Sequence, residues 1–247
     1  MSIELKNGNC LDLMKELPNK SIDLLICDLP YGEINNSWDT PIDMKVFWKE
    51  FKRIRKSRRT ACIHFCSTRF GYKLIQSWEK GFKNDLVLKK RNKCGFLSAK
   101  HRPLRNHEMV YFFYDECPEY YYTDYHKRIG DRNYKASDMF ISKNKEFENQ
   151  TKTICYEPAL PGSVFETEIN LNRKRLHPTE KPQDILQFLI KYWSQPGQTI
   201  LDPTMGSGST GEACQNLKRN FIGFELDKDI YAVATKRFVV QDHSKES

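Results

Sequence analysis

The stretch TILDPTMGSGSTGEAC, residues 199–214, reads as a short strand, a turn carrying Gly206 and Gly208, and the start of a helix. Small residues in such a turn let the backbone approach a ligand closely, and the free N–H groups of a helix N-terminus then face it. The run lacks the G-x-x-x-x-G-K-[ST] pattern of a phosphate loop, which argues against a nucleoside triphosphate. A second strand, NFIGFEL (220–226), follows and carries Glu225 near its tip. An acid there can accept both hydroxyls of a ribose. The glycines alone suit an ordinary tight turn equally well. With Glu225 the reading moves to a nucleoside cofactor, and a dinucleotide and S-adenosylmethionine both stay open.

Working outward, strand-like runs alternate with helical patterns, which predicts an α/β sheet with helices on both faces. The strand candidates are IELKN, SIDLLICD (21–28), TACIHFC (60–66), NDLVLKK (84–90), EMVYFFY (108–114), TILD (199–202) and NFIGFEL. Phe47, Phe51 and Ile54 mark one face of a helix, and Ile185, Leu186, Leu189, Ile190 and Trp193 mark another. Pro182 stands where the first turn of that second helix tolerates proline. A third helix starts near Asp227, with Ile230, Tyr231, Ala234 and Phe238 on its buried side. From about 115 to 172 the periodicity dissolves into aromatic and polar residues, which predicts an insert outside the main sheet. The main domain is then 1–114 with 173–240, and 241–247 is a frayed polar tail.

The chain has 247 residues, 39% of them hydrophobic, enough for one sizeable core. Its net charge of +8 is a weak pointer to a polyanionic partner. The eight cysteines form no CxxC pair and no zinc-ligand spacing, so no structural metal is expected, and Cys62 and Cys66 are read as core packing. No signal peptide and no run long enough to span a bilayer is seen. The expectation is a reduced, cytoplasmic protein that engages no membrane.

Asp28, Leu29, Pro30 and Tyr31 come directly after a buried strand, at the end where an open α/β sheet lines its ligand crevice. The Asp28 carboxylate and the Leu29 carbonyl can each accept a hydrogen from an exocyclic NH2, and Tyr31 offers a face for stacking. An aromatic amine is a poor nucleophile because its lone pair is delocalised into the ring. Two fixed acceptors draw the nitrogen toward tetrahedral geometry and stabilise the positive charge that develops as it attacks. No Cys sits in a Pro-Cys turn that would serve ring-carbon chemistry. As an isolated motif, D-L-P-Y-G is equally well an ordinary β-turn.

HPTEKP (177–182) supplies the third motif. The order D-L-P-Y, insert, H-P-T-E-K-P, D-P-T-M-G-S-G-S-T resembles the β-group DNA amino-methyltransferases, over nearly the whole chain except the insert. The resemblance implies a seven-stranded class I methyltransferase sheet with one antiparallel strand and S-adenosylmethionine as cofactor. It places Asp202, Met205, Gly206, Ser207, Gly208, Ser209 and Thr210 around the methionine part, His177, Thr179 and Lys181 at its carboxylate end, and Glu225 on the ribose. Asn9, beside Cys10, stands where the family often has an Asp on the cofactor's adenine; its amide accepts without charge. Leu29 replaces the family's first Pro, which keeps the carbonyl and loses a restraint. Asp28 at the head of the turn leans toward adenine N6 over cytosine N4, and implies a site-specific, adenine-specific DNA methyltransferase.

The target base must leave the duplex to reach such a pocket. Lys89, Lys90, Arg91, Lys93, Lys100, Arg102 and Arg105, in a stretch read as a basic loop from Lys89 to His107, suit phosphate contacts on double-stranded DNA. A second basic run, KRIRKSRR (52–59), is better read as a solvated helix face. Methylation of RNA or of a protein amide, and an inactive nucleic-acid-binding relic, are the competing readings. The resemblance leaves open a homodimer, a partner restriction endonuclease, and a bacterial or phage source.

Overall fold

A computed structural model of the chain describes residues 1–32, 41–133, 152–167 and 180–242. It divides into two units, Met1–Tyr120 with Ser163–Ser247, and Tyr121–Gly162. The strands of the first unit are β1 (Ile3–Asn7), β2 (Leu24–Cys27), β3 (Ala61–Cys66), β4 (Phe82–Cys94), β5 (Arg105–Phe113), β8 (Val164–Glu166), β9 (Thr199–Asp202) and β10 (Asn220–Glu225). They form one sheet in the order β1-β10-β9-β2-β3-β5-β4-β8. Only β5 runs against its neighbours, pairing antiparallel with both β3 and β4. The seven strand candidates all lie in this sheet. The eighth member, β8, pairs parallel with β4 and falls inside the 115–172 stretch expected to lie outside it. Three residues with two exposed side chains carry no period from which a strand could be read.

Every residue of β2 and β3 is buried, as expected of central strands covered on both faces. Alternation then sends Leu25, Cys27, Cys62 and Cys66 to one core and Leu24, Ile26, Ala61, Ile63 and Phe65 to the other. Helices α1 (Cys10–Glu16), α2 (Met44–Ile54) and α3 (Thr68–Ser77) contribute to the first core; α4 (Gln183–Trp193), α5 (Ser209–Asn216) and α6 (Lys228–Asp242) contribute to the second. Asp43 caps α2 by accepting from the Lys45 and Val46 amides at 2.9 and 3.2 Å. Phe47, Phe51 and Ile54 are fully buried as read, with Trp48 beside them. On α4, Tyr192 is buried and Trp193 only partly so, and Tyr120 stacks on Tyr192 with ring centroids 5.2 Å apart. Helix α6 runs two residues into the stretch expected to fray, and 243–247 lie outside the described residues.

The basic stretch after β4 is not a plain loop. Strand β4 runs on to Cys94 and β5 begins at Arg105, so most of it is a hairpin arm with its turn at 95–104. Between the pairs Lys89–His107 and Cys94–Arg105, four residues of β4 (90–93) stand against one of β5 (106), a wide bulge. A ladder built from Lys, Arg and Asn shows no hydrophobic alternation, which hid it from periodicity. In KRIRKSRR, Lys52, Lys56, Arg58 and Arg59 are exposed, as expected of a solvated face, while Arg53 and Arg55 are drawn in. Arg53 binds Glu50 and the Met14 and Leu17 carbonyls, Arg55 pairs with Asp115, Lys56 with Asp23 and Arg58 with Glu116.

In the second unit, β6 (Lys127–Asn133) and β7 (Lys152–Glu157) pair antiparallel. Tyr122 meets Tyr156 edge to face at 5.7 Å.

Candidate active site

Strands β9 and β2 are parallel neighbours, so the turns at their carboxyl ends open side by side. Between them lies a cavity of about 680 Å³, within the range of small-molecule sites. Asn9, Cys10, Asp28, Leu29, Pro30 and Tyr31 line one part of it. Lys181, Asp202, Met205, Gly206, Ser207, Ser209, Thr210 and Glu225 line the rest. Of the seven basic residues assigned to DNA, Lys90 and Arg91 also reach this wall. Gly208 does not line the cavity. His177 and Thr179 lie outside the described residues.

The glycine loop is built by backbone geometry. Gly206 and Gly208 sit at φ +55° and +82°, where side chains are strained, and Gly208 opens α5 without a side-chain cap. The leading N–H groups of that helix remain available to an acceptor. Asp202 is buried; its carboxylate accepts from the Thr204 amide at 3.1 Å and the Thr210 hydroxyl at 2.6 Å. Burial outweighs those bonds and pushes its pKa up to about 7. Glu225 accepts from the Gly206 and Asp227 amides at 3.0 and 2.8 Å, one on each oxygen, and each oxygen keeps a lone pair for a hydroxyl. Burial raises its pKa as well. Asn9 caps α1, its side-chain oxygen taking the Leu11 amide at 2.9 Å, so part of its accepting capacity is already used.

At the 28–31 turn, the Tyr31 hydroxyl donates to Asp28 Oδ1 at 2.5 Å, and Lys181 Nζ sits 2.7 Å from Asp28 Oδ2. Phe70 stacks against one face of Tyr31 at 4.9 Å. The Leu29 side chain is buried in the first core, so apolar anchoring takes over the restraint that a proline would supply. The Thr204 hydroxyl donates to the Asp28 carbonyl at 3.2 Å, tying the two turns together.

Two features escaped the sequence reading. Because β5 is reversed, its leading end lies at the same sheet edge as the carboxyl ends of the others, and it brings Glu108 into the cavity wall. Glu108 accepts from Lys181 at 3.1 Å and from Lys90, forming a Lys90–Glu108–Lys181–Asp28 chain. Burial opposes the charges on Lys181 and Glu108, but their partners prevail; the Lys181 pKa is raised and that of Glu108 lowered. The only sequence signal was a carboxylate at the polar end of an apolar run. Second, Arg237 of α6 reaches Glu180 at 2.9 Å and Glu212 of α5 at 2.6 Å, which fastens the segment carrying Lys181 to the glycine loop's helix. No spacing rule links residues 57 positions apart.

Cysteine spacing also concealed a cluster. The ligand atoms of Cys27, Cys62 and His64, all buried, lie within 4.8 Å of one another. Cys27 Sγ faces His64 Nδ1 at 3.0 Å and Cys62 Sγ faces Nε2 at 3.1 Å. Both ring nitrogens of this buried histidine are thus partnered by sulfur, as buried polar groups require. Among the described residues no helix is long and apolar enough to cross a membrane.

Comparison with known proteins identifies the family. The chain is 28% identical to the type II methyltransferase M.HinfI of Haemophilus influenzae over 93% of its own length, and spans 66% of that protein. It is 29% identical to the type II methyltransferase M1.MboII of Moraxella bovis, with 90% of each chain covered. Its fold matches the crystal structure of an M1.HpyAVI–SAM complex with a TM-score of 0.62 at 22% identity, covering 95% of this chain and 99% of that one. The N6/N4 DNA methylase family model matches residues 22–236, from the strand before the Asp28 turn to the last helix, and the chain therefore belongs to that family.

Proposed function

We propose that the protein transfers the methyl group of S-adenosylmethionine to the exocyclic amino group of a base swung out of duplex DNA, with adenine N6 the target. The observation that carries this is the single cavity shared by the Asp28–Tyr31 turn and the glycine loop with Glu225. The donor set fits the cofactor. Glu225 has lone pairs for a ribose diol, and the leading amides of α5 suit an α-carboxylate. When bound, S-adenosylmethionine supplies an electrophilic methyl group on a sulfonium.

The chain's own residues do the rest. One amino hydrogen of the base bonds to the Asp28 carboxylate and the other to the Leu29 carbonyl, which frees the nitrogen lone pair to attack. As the nitrogen takes up the methyl group that bound S-adenosylmethionine would supply, it would gain positive charge, which both acceptors would stabilise. The surplus proton then passes to Asp28. Tyr31 and Lys181 hold that carboxylate in one orientation from opposite oxygens. Tyr31 also compensates part of the cost of unstacking the base, about 1–3 kcal/mol by stacking.

Asp28→Ala is expected to abolish transfer of labelled methyl to duplex DNA, with cofactor affinity and the melting transition retained. Wild-type turnover in that variant would remove the turn from the chemistry. Because the family spans N6 and N4 enzymes, cytosine N4 is the second reading. Mass spectrometry of nucleosides from methylated duplex separates them, N6-methyladenine being expected. Activity confined to RNA or protein acceptors would refute the DNA assignment.

A further inference from the structure

Singly exposed apolar side chains are ordinary, whereas adjacent ones that form a patch rimmed by polar residues mark a contact surface. At the turn of the β4–β5 arm, Phe96 is 68% exposed and Leu97 fully so, side by side in sequence. The turn is ordered by its own backbone. Gly95 enters it at φ +89°, and the Ser98, Ala99 and Arg102 amides close successive turns onto the Gly95, Phe96 and Ser98 carbonyls. This local folding turns both side chains outward, and nothing in it needs them for packing.

Their surroundings select the partner. Lys93, Lys100 and Arg102 are exposed on the same turn and the strand leading to it, so the apolar pair is flanked by cations. A second copy of this basic surface would be repelled, whereas a phosphate backbone would be drawn in and its stacked bases would offer an apolar interior. The reach also fits. Arg105 lies three residues beyond Glu108 along β5, and Glu108 lines the cavity. At about 3.4 Å per residue, the turn at 95–104 begins within roughly 10 Å of cavity-lining residues, Glu108 on β5 and Asn92 on β4, so the apolar pair sits beside the pocket that would receive the base.

We propose that Phe96 and Leu97 form a wedge that enters the base stack of the DNA duplex and holds open the place vacated by the target base. The inference rests on the base-swinging reading above. Lys93, Lys100 and Arg102 position the arm on the backbone, and the wedge converts that docking into unstacking.

The test uses the full-length protein with S-adenosylhomocysteine and a duplex carrying 2-aminopurine next to the target base, the site being found first by methylation-sensitive sequencing. The wild type should raise 2-aminopurine fluorescence. The F96A/L97A variant should keep its melting transition and cofactor affinity, lose that rise, and lose about tenfold or more in kcat/KM on paired duplex. A mismatch opposite the target base should restore most of the loss, because a base already unpaired needs no wedge. An unchanged fluorescence rise in the variant overturns the proposal, as does an equal loss on paired and mismatched duplex. If the wild type methylates the duplex without any rise, the base-swinging reading itself falls and the wedge falls with it.

Discussion

Lys181 is shared between two carboxylates, and that sharing governs what Asp28 can offer a substrate. Replacing Glu108 by Gln leaves the ammonium with Asp28 as its one anionic partner among the described residues, tightening its grip on the group proposed to accept the amino hydrogen. It also leaves net positive charge beside a nitrogen becoming positive. For Glu108→Gln we expect kcat to fall about tenfold or more with cofactor Kd unchanged; an unaltered kcat would show that Glu108 does not act through Lys181. Asp202 gives a prediction with a sign. Its pKa of about 7 lies above the ordinary 3.8, so between about pH 4 and 7 the folded state binds the extra proton and stability falls as pH rises, by at most about 1.4 kcal/mol per unit. Asp202→Asn removes this contribution, so thermal unfolding without cofactor should show the variant gaining on the wild type from pH 5 to pH 8. A constant gap across that range would mean the carboxyl ionises freely. Asp28, Tyr31 and Glu225 were legible in the sequence because the strand end or turn that presents each lies next to it. Glu108 and Arg237 were not, because their significance lies in partners tens of residues away.

At the scale of elements, the helix opened by Gly208 depends on a backbone angle that few residues tolerate. A Cβ at Gly208 would lie 3.1 Å from the Phe238 ring, in addition to the left-handed strain. Gly208→Ala is expected to cost about 1 kcal/mol or more and lower Tm by roughly 2–4 °C. It should also weaken cofactor binding, since loop and helix shift together; titration calorimetry with an unchanged Kd would contradict this. Seven of the eight strands of the main sheet were readable because central parallel strands are unbroken apolar runs and the others sit between clear turn signals. The distal part of the arm and β8 were not, since a wholly polar stretch and a three-residue strand owe their pairing to backbone hydrogen bonds that leave no mark on composition. The same blindness placed the start of the main domain's return at 173, whereas Ser163 already belongs with the sheet.

For the whole molecule, a ligand held between two turns of one sheet must stabilise the entire cooperative unit. At a hundredfold excess over Kd, S-adenosylmethionine should add about 2.7 kcal/mol and raise Tm by roughly 5–10 °C. Glu225→Ala should lose most of that shift, and a full shift in the variant would exclude Glu225 from the ribose contact. Fold class and the order of motifs were legible because they are carried by local runs. The second unit was legible only as a loss of pattern, since two paired strands with an aromatic contact bury too little to impose a period. The reversal of β5 has a geometric corollary. Parallel neighbours must carry their chain to the far end of the sheet before returning, but β4 and β5 double back on the spot. Residues inserted there arrive as opposed couples and lengthen an overhang, while Glu108 and the cavity below stay where they are. How far the arm projects can therefore be adjusted without disturbing the cavity wall.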